Sequence, residues 1–176
     1  MWIASESYST FQASTSRLVS SIREKFTGKG ITLSTAESIT GGLIGSTLVS
    51  LPGSSIFFKG GVVAYSNESK EKILGVRHRT LTSHGAVSRE TALEMAYGAL
   101  RLFETSMAVS CTGIAGPAGE TTEKPVGLVY MAIVTDRDSA VKEVRYDGDR
   151  DSIRMRTVED CLQMIEEEAS KAYQQQ

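Results

Sequence analysis

Apolar positions along the chain alternate between two spacings. Leu18, Val19, Ile22 and Phe26 recur at helical intervals and predict a helix over roughly residues 11–27, closed by Thr27-Gly28-Lys29-Gly30. A short strand, Ile31 to Ala36, follows. Glu37-Ser38-Ile39-Thr40-Gly41-Gly42 then leads into a helix with Ile44, Leu48 and Leu51 on one face, Thr40 as its candidate N-cap and Pro52-Gly53 as its stop. Phe57 to Tyr65 reads as a strand in which Gly60-Gly61 lets another backbone come close. Asn67 to Leu74 reads as a short helix, and His84-Gly85 as a turn. Ser88 and Thr91 open a helix that carries Ala92, Met95, Ala96, Ala99, Leu100 and Phe103 inward. Met107 to Cys111 is a strand running into Thr112-Gly113-Ile114-Ala115-Gly116-Pro117. After a polar loop, Val126 to Thr135 is almost continuously apolar, the mark of a strand covered on both faces. Val141 to Tyr146 is the next strand. A last helix starts at Gly148-Asp149-Arg150-Asp151 with Met155, Val158, Leu162 and Ile165 as its inner stripe.

Helices alternating with buried strands predict a three-layer α/β/α sandwich. The connection over residues 136–140 is too short for a crossover, so one strand must run antiparallel. The 176 residues suit a single domain over 1–176, with a core of about 15–170 and residues 1–10 as a loose extension. A net charge of −2 and a pI near 5.8 leave no basic footprint for nucleic acid. No apolar run approaches the roughly 20 residues that span a bilayer. Met1 to Ser21 is Ser-rich, faintly like a transit peptide, but its apolar spacing reads as a packed helix. Cys111 and Cys161 have no CxxC partner and are expected to be reduced, buried thiols in a cytoplasmic protein. His78 and His84 belong to no HExxH pattern, and no metal site is expected.

Open α/β sheets bind ligands where strands run into helices. Three joints qualify: Thr35–Gly42, Thr112–Pro117 and Gly148–Arg150. At the first, Ser38 is presented at the sheet edge next to N–H groups able to hold an oxyanion; alternatively, Ser38 and Thr40 merely cap the helix. Neither histidine lies in a glycine-rich joint and GxSxG is absent, so a base for Ser38 has to come from elsewhere. Lys70 can serve if burial lowers its pKa; the alternative is a solvated helix lysine. The second joint can cradle an anion on backbone N–H groups or be a plain turn. It is neither a Walker A loop nor GxGxxG. Arg150, near a helix start, can offer a guanidinium fork to a phosphate. The residues alone reach as far as a small-molecule site at the sheet's edge.

The blocks in combination are far more specific. Ser34-Thr35-Ala36-Glu37-Ser38-Ile39-Thr40-Gly41-Gly42 resembles a signature of the CinA (competence/damage-inducible) C-terminal family. So do Gly60 to Lys70, His84-Gly85-Ala86-Val87-Ser88, Thr112 to Pro117, Glu123-Lys124-Pro125-Val126-Gly127 and Gly148-Asp149-Arg150, in the family's order. The likeness covers about residues 15–170. It implies a mixed, mostly parallel five-stranded sheet and an amidase converting nicotinamide mononucleotide and water to nicotinate mononucleotide and ammonia. By this resemblance Ser38 is the nucleophile, Lys70 the general base and Tyr65 a helper in the proton relay. An oxyanion is expected near the amides of Gly41 and Gly42. Asn67 is expected to orient Lys70 or the amide, and Thr112, Gly113, Ala115, Gly116 and Arg150 to contact ribose phosphate. Glu37 is expected either to face the cationic pyridinium ring or to interact with the helix dipole.

The resemblance implies no metal or cofactor, and it implies self-association. Ile39 stands where relatives often have Cys, and Cys111 where they often have Val or Ser; neither carries a proposed proton transfer. The loop Ala118-Gly119-Glu120-Thr121-Thr122 has fewer glycines than is usual, which bears on substrate access. Many relatives carry a further N-terminal domain, for which this chain has no room, so a pyrophosphatase activity linked to it is not expected. Two other readings compete with the amidase: a non-catalytic nucleotide- or partner-binding module, and a hydrolase of another amide.

Overall fold

The structure, a computed structural model, describes residues 6–174. Five strands form one sheet: β1 (Leu33–Glu37), β2 (Phe58–Val63), β3 (Met107–Gly113), β4 (Leu128–Thr135) and β5 (Ser139–Arg145). Their order is β2-β1-β3-β4-β5. The β2–β1 and β1–β3 pairs are parallel, whereas β4 is antiparallel to both of its neighbours. The single reversed strand follows from the turn after Thr135, as the short connection predicted. Six helices accompany the sheet: α1 (Glu6–Phe26), α2 (Leu43–Val49), α3 (Asn67–Leu74), α4 (His78–His84), α5 (Arg89–Phe103) and α6 (Arg150–Gln174).

Strand alternation divides the core in two. Met107, Val109 and Cys111 of β3, with Val129, Met131 and Ile133 of β4, join the side chains of α1, α2 and α6. Ala108, Ala132 and Val134 point the other way, toward α5 with Leu74 and Leu81 of α3 and α4. This second cluster is rich in alanine, which lets α5 lie close to the sheet. Gly98 of α5 continues the theme: a Cβ there would stand 2.1 Å from the Leu74 carbonyl oxygen. That close approach seats α3, the helix that carries Lys70.

Several boundaries differ from the sequence pattern. Helix α1 begins at Glu6, so residues 6–10, expected to be loose, form its first turns, while residues 1–5 lie outside the described ones. Helix α4 has no counterpart in the prediction because only Leu81 and Thr80 of it are buried. A partner fixes it instead: Glu94 of α5 accepts the Arg77 N–H (2.8 Å) and the Thr80 hydroxyl (2.7 Å). Helix α2 is not capped by Thr40. Gly42 occupies its N-cap in the left-handed region, φ 95°, without a side-chain cap bond. Cys111 and Cys161 are free and buried, as expected.

Candidate functional site

Four chain segments meet at the ends of β1 and β3. Ser38 follows β1 directly, its N–H bonded to the Cys111 carbonyl of the neighbouring strand at 3.1 Å. Lys70 enters from α3, whose start is fixed by a capping box between Ser66 and Ser69. Thr112 to Gly116 arrives from β3, and Arg150 from the first turn of α6. Between them lies a pocket of about 160 Å³ lined by Ser38, Lys70, Tyr65, Gly113, Ala115 and Arg150, with Ile39, Ala86, Val87 and Thr112 completing the wall.

Lys70 is the unusual residue. It is 1% exposed, and no carboxylate among the described residues pairs with its amine. Its Nζ lies 3.1 Å from Ser38 Oγ, 2.8 Å from the Ala64 carbonyl and 3.2 Å from the Tyr65 carbonyl. Burial without a counter-charge disfavours the ammonium and lowers the pKa from 10.5 to about 8, although nearby Cys111 draws it partly back up. The alternative of a solvated helix lysine is excluded for Lys70; Lys72, on the exposed side, pairs with Glu68 at 2.6 Å.

Glu37 takes the capping role weighed against ring recognition. It is 2% exposed and lies outside the pocket lining. Oε2 accepts the Thr40 hydroxyl (2.6 Å) and the N–H groups of Gly42 (3.0 Å) and Ile44 (2.9 Å); Oε1 accepts the Gly45 N–H (2.8 Å). The carboxylate thus satisfies the open amides at the start of α2 from inside the protein.

This arrangement also corrects the expected oxyanion donors. The Gly42 N–H belongs to Glu37, and the Gly41 N–H donates to the Ser38 carbonyl at 3.2 Å. The N–H groups of Ile39 and Thr40, the two that follow Ser38, have no acceptor among the described residues. The amides of Ala115 and Gly116, in the buried loop after β3, likewise have none. Unpaired buried donors are rare in folded proteins and mark places where a ligand supplies the acceptor.

Tyr65 reaches Lys70 through its backbone carbonyl. The residue is 64% exposed, and its hydroxyl accepts from Arg150 Nη2 at 3.3 Å at the rim of the pocket that Ser38 and Lys70 also line. Arg150 Nη1 donates to the Gly116 carbonyl at 2.8 Å, tying the rim to the loop after β3. The Thr112 hydroxyl donates to the Ala86 carbonyl at 2.8 Å and braces the wall. Asn67 is exposed at the start of α3 and is not among the residues that line the pocket. Ile39, Ala86 and Val87 had no assigned role in the sequence reading, although each stands inside a quoted block. Their apolar side chains carry no chemical signal of their own.

Comparison with known proteins shows the family. The model of the CinA C-terminal domain family matches residues 15–169. A putative competence-damage inducible protein of Clostridium kluyveri is 54% identical over 137 residues, 78% of this chain and 33% of that protein. A CinA-like protein of Kosmotoga olearia is 50% identical over 136 residues, again 33% of its length. The chain therefore spans about a third of these relatives. Among solved structures, the competence/damage inducible protein CihA from Agrobacterium tumefaciens superposes with a TM-score of 0.82 at 44% identity, covering 88% of this chain and 93% of that one. The competence damage-inducible protein A from Klebsiella pneumoniae gives 0.85 at 31% identity, covering 89% and 97%. On these grounds, with the quoted blocks gathered at one sheet edge, the chain belongs to the CinA C-terminal domain family.

Proposed function

We infer that this domain is an amidohydrolase that deamidates nicotinamide mononucleotide by a serine–lysine mechanism, on the frame of a three-layer α/β/α sandwich. The observation that carries this reading is the buried Lys70 amine 3.1 Å from Ser38 Oγ with no carboxylate partner. An ammonium has three protons, and three acceptors surround it. A neutral amine has two, which the Ala64 and Tyr65 carbonyls accept, so its lone pair is directed at the Ser38 hydroxyl. With a pKa of about 8, roughly a tenth of the protein carries the neutral amine at pH 7.

Lys70 takes the Ser38 proton as Oγ attacks the carboxamide carbon. The oxyanion is received by the Ile39 and Thr40 amides, which are unclaimed by the protein. Lys70 then passes that proton to the amide nitrogen, which leaves as ammonia when the C–N bond breaks, and water hydrolyses the acyl-enzyme by the same base. The pocket, at about 160 Å³, is smaller than the roughly 300–1,000 Å³ of sites that enclose a whole ligand. It has room for the pyridine carboxamide, walled by Ile39, Ala86 and Val87. The ribose phosphate extends toward the Ala115 and Gly116 amides and Arg150.

The test is ammonia release from nicotinamide mononucleotide by the wild type, Ser38→Ala and Lys70→Ala, each checked for folding. Release that disappears in both folded variants supports the reaction and the dyad together. Binding without release by the wild type would replace the amidase with a nucleotide-binding module. Neither binding nor release would point to a different amide.

A further inference from the structure

The turn that bears Ser38 is clamped from two sides. Glu37 holds it from within the core. From outside, Arg154 of α6 donates Nη2–H to the Thr40 carbonyl at 2.9 Å, while its Nη1 lies 3.4 Å from Asp151 Oδ1. The side chain is only 18% exposed and passes beside Gly41, where a Cβ would stand 3.7 Å from Nη2. Arg154 comes one helical turn after Arg150, so both guanidinium groups leave the same face of α6. One reaches the rim and the other the nucleophile turn.

We propose that Arg154 is a positioning residue for catalysis, acting through the Thr40 carbonyl to hold the Ser38–Gly41 turn in its reactive geometry. The Thr40–Gly41 peptide is pinned at both ends: Arg154 and the Leu43 N–H (3.3 Å) take its carbonyl, and its N–H donates to the Ser38 carbonyl. With that peptide fixed, the Ile39 and Thr40 amides and Ser38 Oγ keep one relative placement. Released from Arg154, the turn stays anchored through Glu37 and the core, so the loss falls on catalytic alignment more than on folding. Arg154 is not among the residues that line the pocket, and the Lys70 amine bonds to Ser38, Ala64 and Tyr65. Its removal therefore leaves ligand capture and the base in place.

This inference rests on the serine–lysine reading, and its test has to fail separately from it. Arg154→Met keeps the apolar stem and removes the donors; Arg154→Lys keeps one charged donor. For nicotinamide mononucleotide hydrolysis we expect Arg154→Met to lower kcat by about 10²-fold, the scale of a small misplacement of reacting groups. KM should stay within about threefold, and the acid limb of the pH profile should remain where the wild type has it. Arg154→Lys should recover at least about a tenth of wild-type kcat, since one hydrogen bond to Thr40 can be remade. In parallel, the rate at which a fluorophosphonate modifies Ser38 should fall by a similar factor in Arg154→Met, and this readout needs no amide substrate. Unchanged kcat and unchanged labelling would overturn the proposal, as would a loss matched by a rise in KM or by unfolding. A wild type that is labelled at Ser38 but releases no ammonia would overturn the substrate reading and leave the labelling comparison to decide the role of Arg154. A wild type inert to both would overturn the two together.

Discussion

The two glycine-rich joints of this sheet are held in different ways. At the β1–α2 joint buried or half-buried charged side chains clamp the turn and leave only the Ile39 and Thr40 amides open: Glu37 takes three backbone N–H groups and two hydroxyls, and Arg154 donates to a carbonyl. At the β3–β4 joint the Ala115 and Gly116 amides are left without acceptors, and Arg150 stands at an exposed rim. The first joint is over-determined and holds a reacting atom still. The second has no such charged clamp on its amides, and on the proposed function they receive the phosphate. Rigid geometry lowers the barrier of a chemical step, whereas vacant donors create affinity. On the proposed function, chemistry falls to the first joint and recognition to the second.

The strongest way to break that division is to remove the base. Lys70→Met should reduce kcat by about 10⁴-fold, the scale on which losing one member of a nucleophile–base pair acts. A second, independent readout concerns stability. The folded pKa of about 8 lies below the unfolded 10.5, so between these values the unfolded chain binds the extra proton. Folded stability of the wild type relative to Lys70→Met should therefore rise by about 3 kcal/mol from pH 8 to pH 10.5 and be flat below pH 8. Parallel stability curves for the two proteins, followed by denaturant unfolding, would show that Lys70 is not held in the buried, unpaired state.

Arg150→Gln probes the recognition joint. Losing a charge-assisted contact to phosphate should raise KM for the nucleotide about 10- to 100-fold with kcat little changed. The corresponding nucleoside, which lacks the phosphate, should be indifferent to the substitution. An equal penalty for both substrates would instead make Arg150 a strut for Gly116 and Tyr65. The pH dependence of the wild type is a smaller effect. As only neutral Lys70 can accept the Ser38 proton, kcat/KM should climb about tenfold per unit toward pH 8 and level off above it. A flat profile between pH 6 and pH 9 would remove Lys70 as the base.

How much of this was legible in the sequence follows from what local pattern can carry. Strand β4 was readable from its continuous apolar run and the inner stripe of α6 from its helical spacing, and α3 was predicted to its ends. Helix α4 was not, since its order comes from Glu94, ten residues beyond its last turn. Ser38, Lys70 and Arg150 could be nominated by residue type and resemblance. The direction in which a group is spent could not: whether Glu37 faces a ligand or α2, whether Tyr65 acts by its hydroxyl or its carbonyl, and which amides Glu37 leaves open all depend on three-dimensional pairing. Arg154 escaped notice for the same reason, because an arginine on a helix carries no sign of the carbonyl it will meet.

The smallest expected effect concerns Thr112, which lies at the recognition joint but behaves like the other one. Its hydroxyl proton is given to the Ala86 carbonyl, so it fixes the wall that includes Val87. Thr112→Val keeps the shape and removes that bond. It should cost about 1 kcal/mol of folding stability, the usual net value of one hydrogen bond. KM should then rise no more than about threefold, since the Ala115 and Gly116 amides and Arg150 remain. A KM increase of about tenfold or more, with thermal stability intact, would mean that the hydroxyl also donates to the ligand and leaves Ala86 when the site fills. In that case the second joint would be satisfied by rearrangement on binding and not vacant beforehand, and the contrast between a closed joint for chemistry and an open one for capture would hold only for the ligand-free protein.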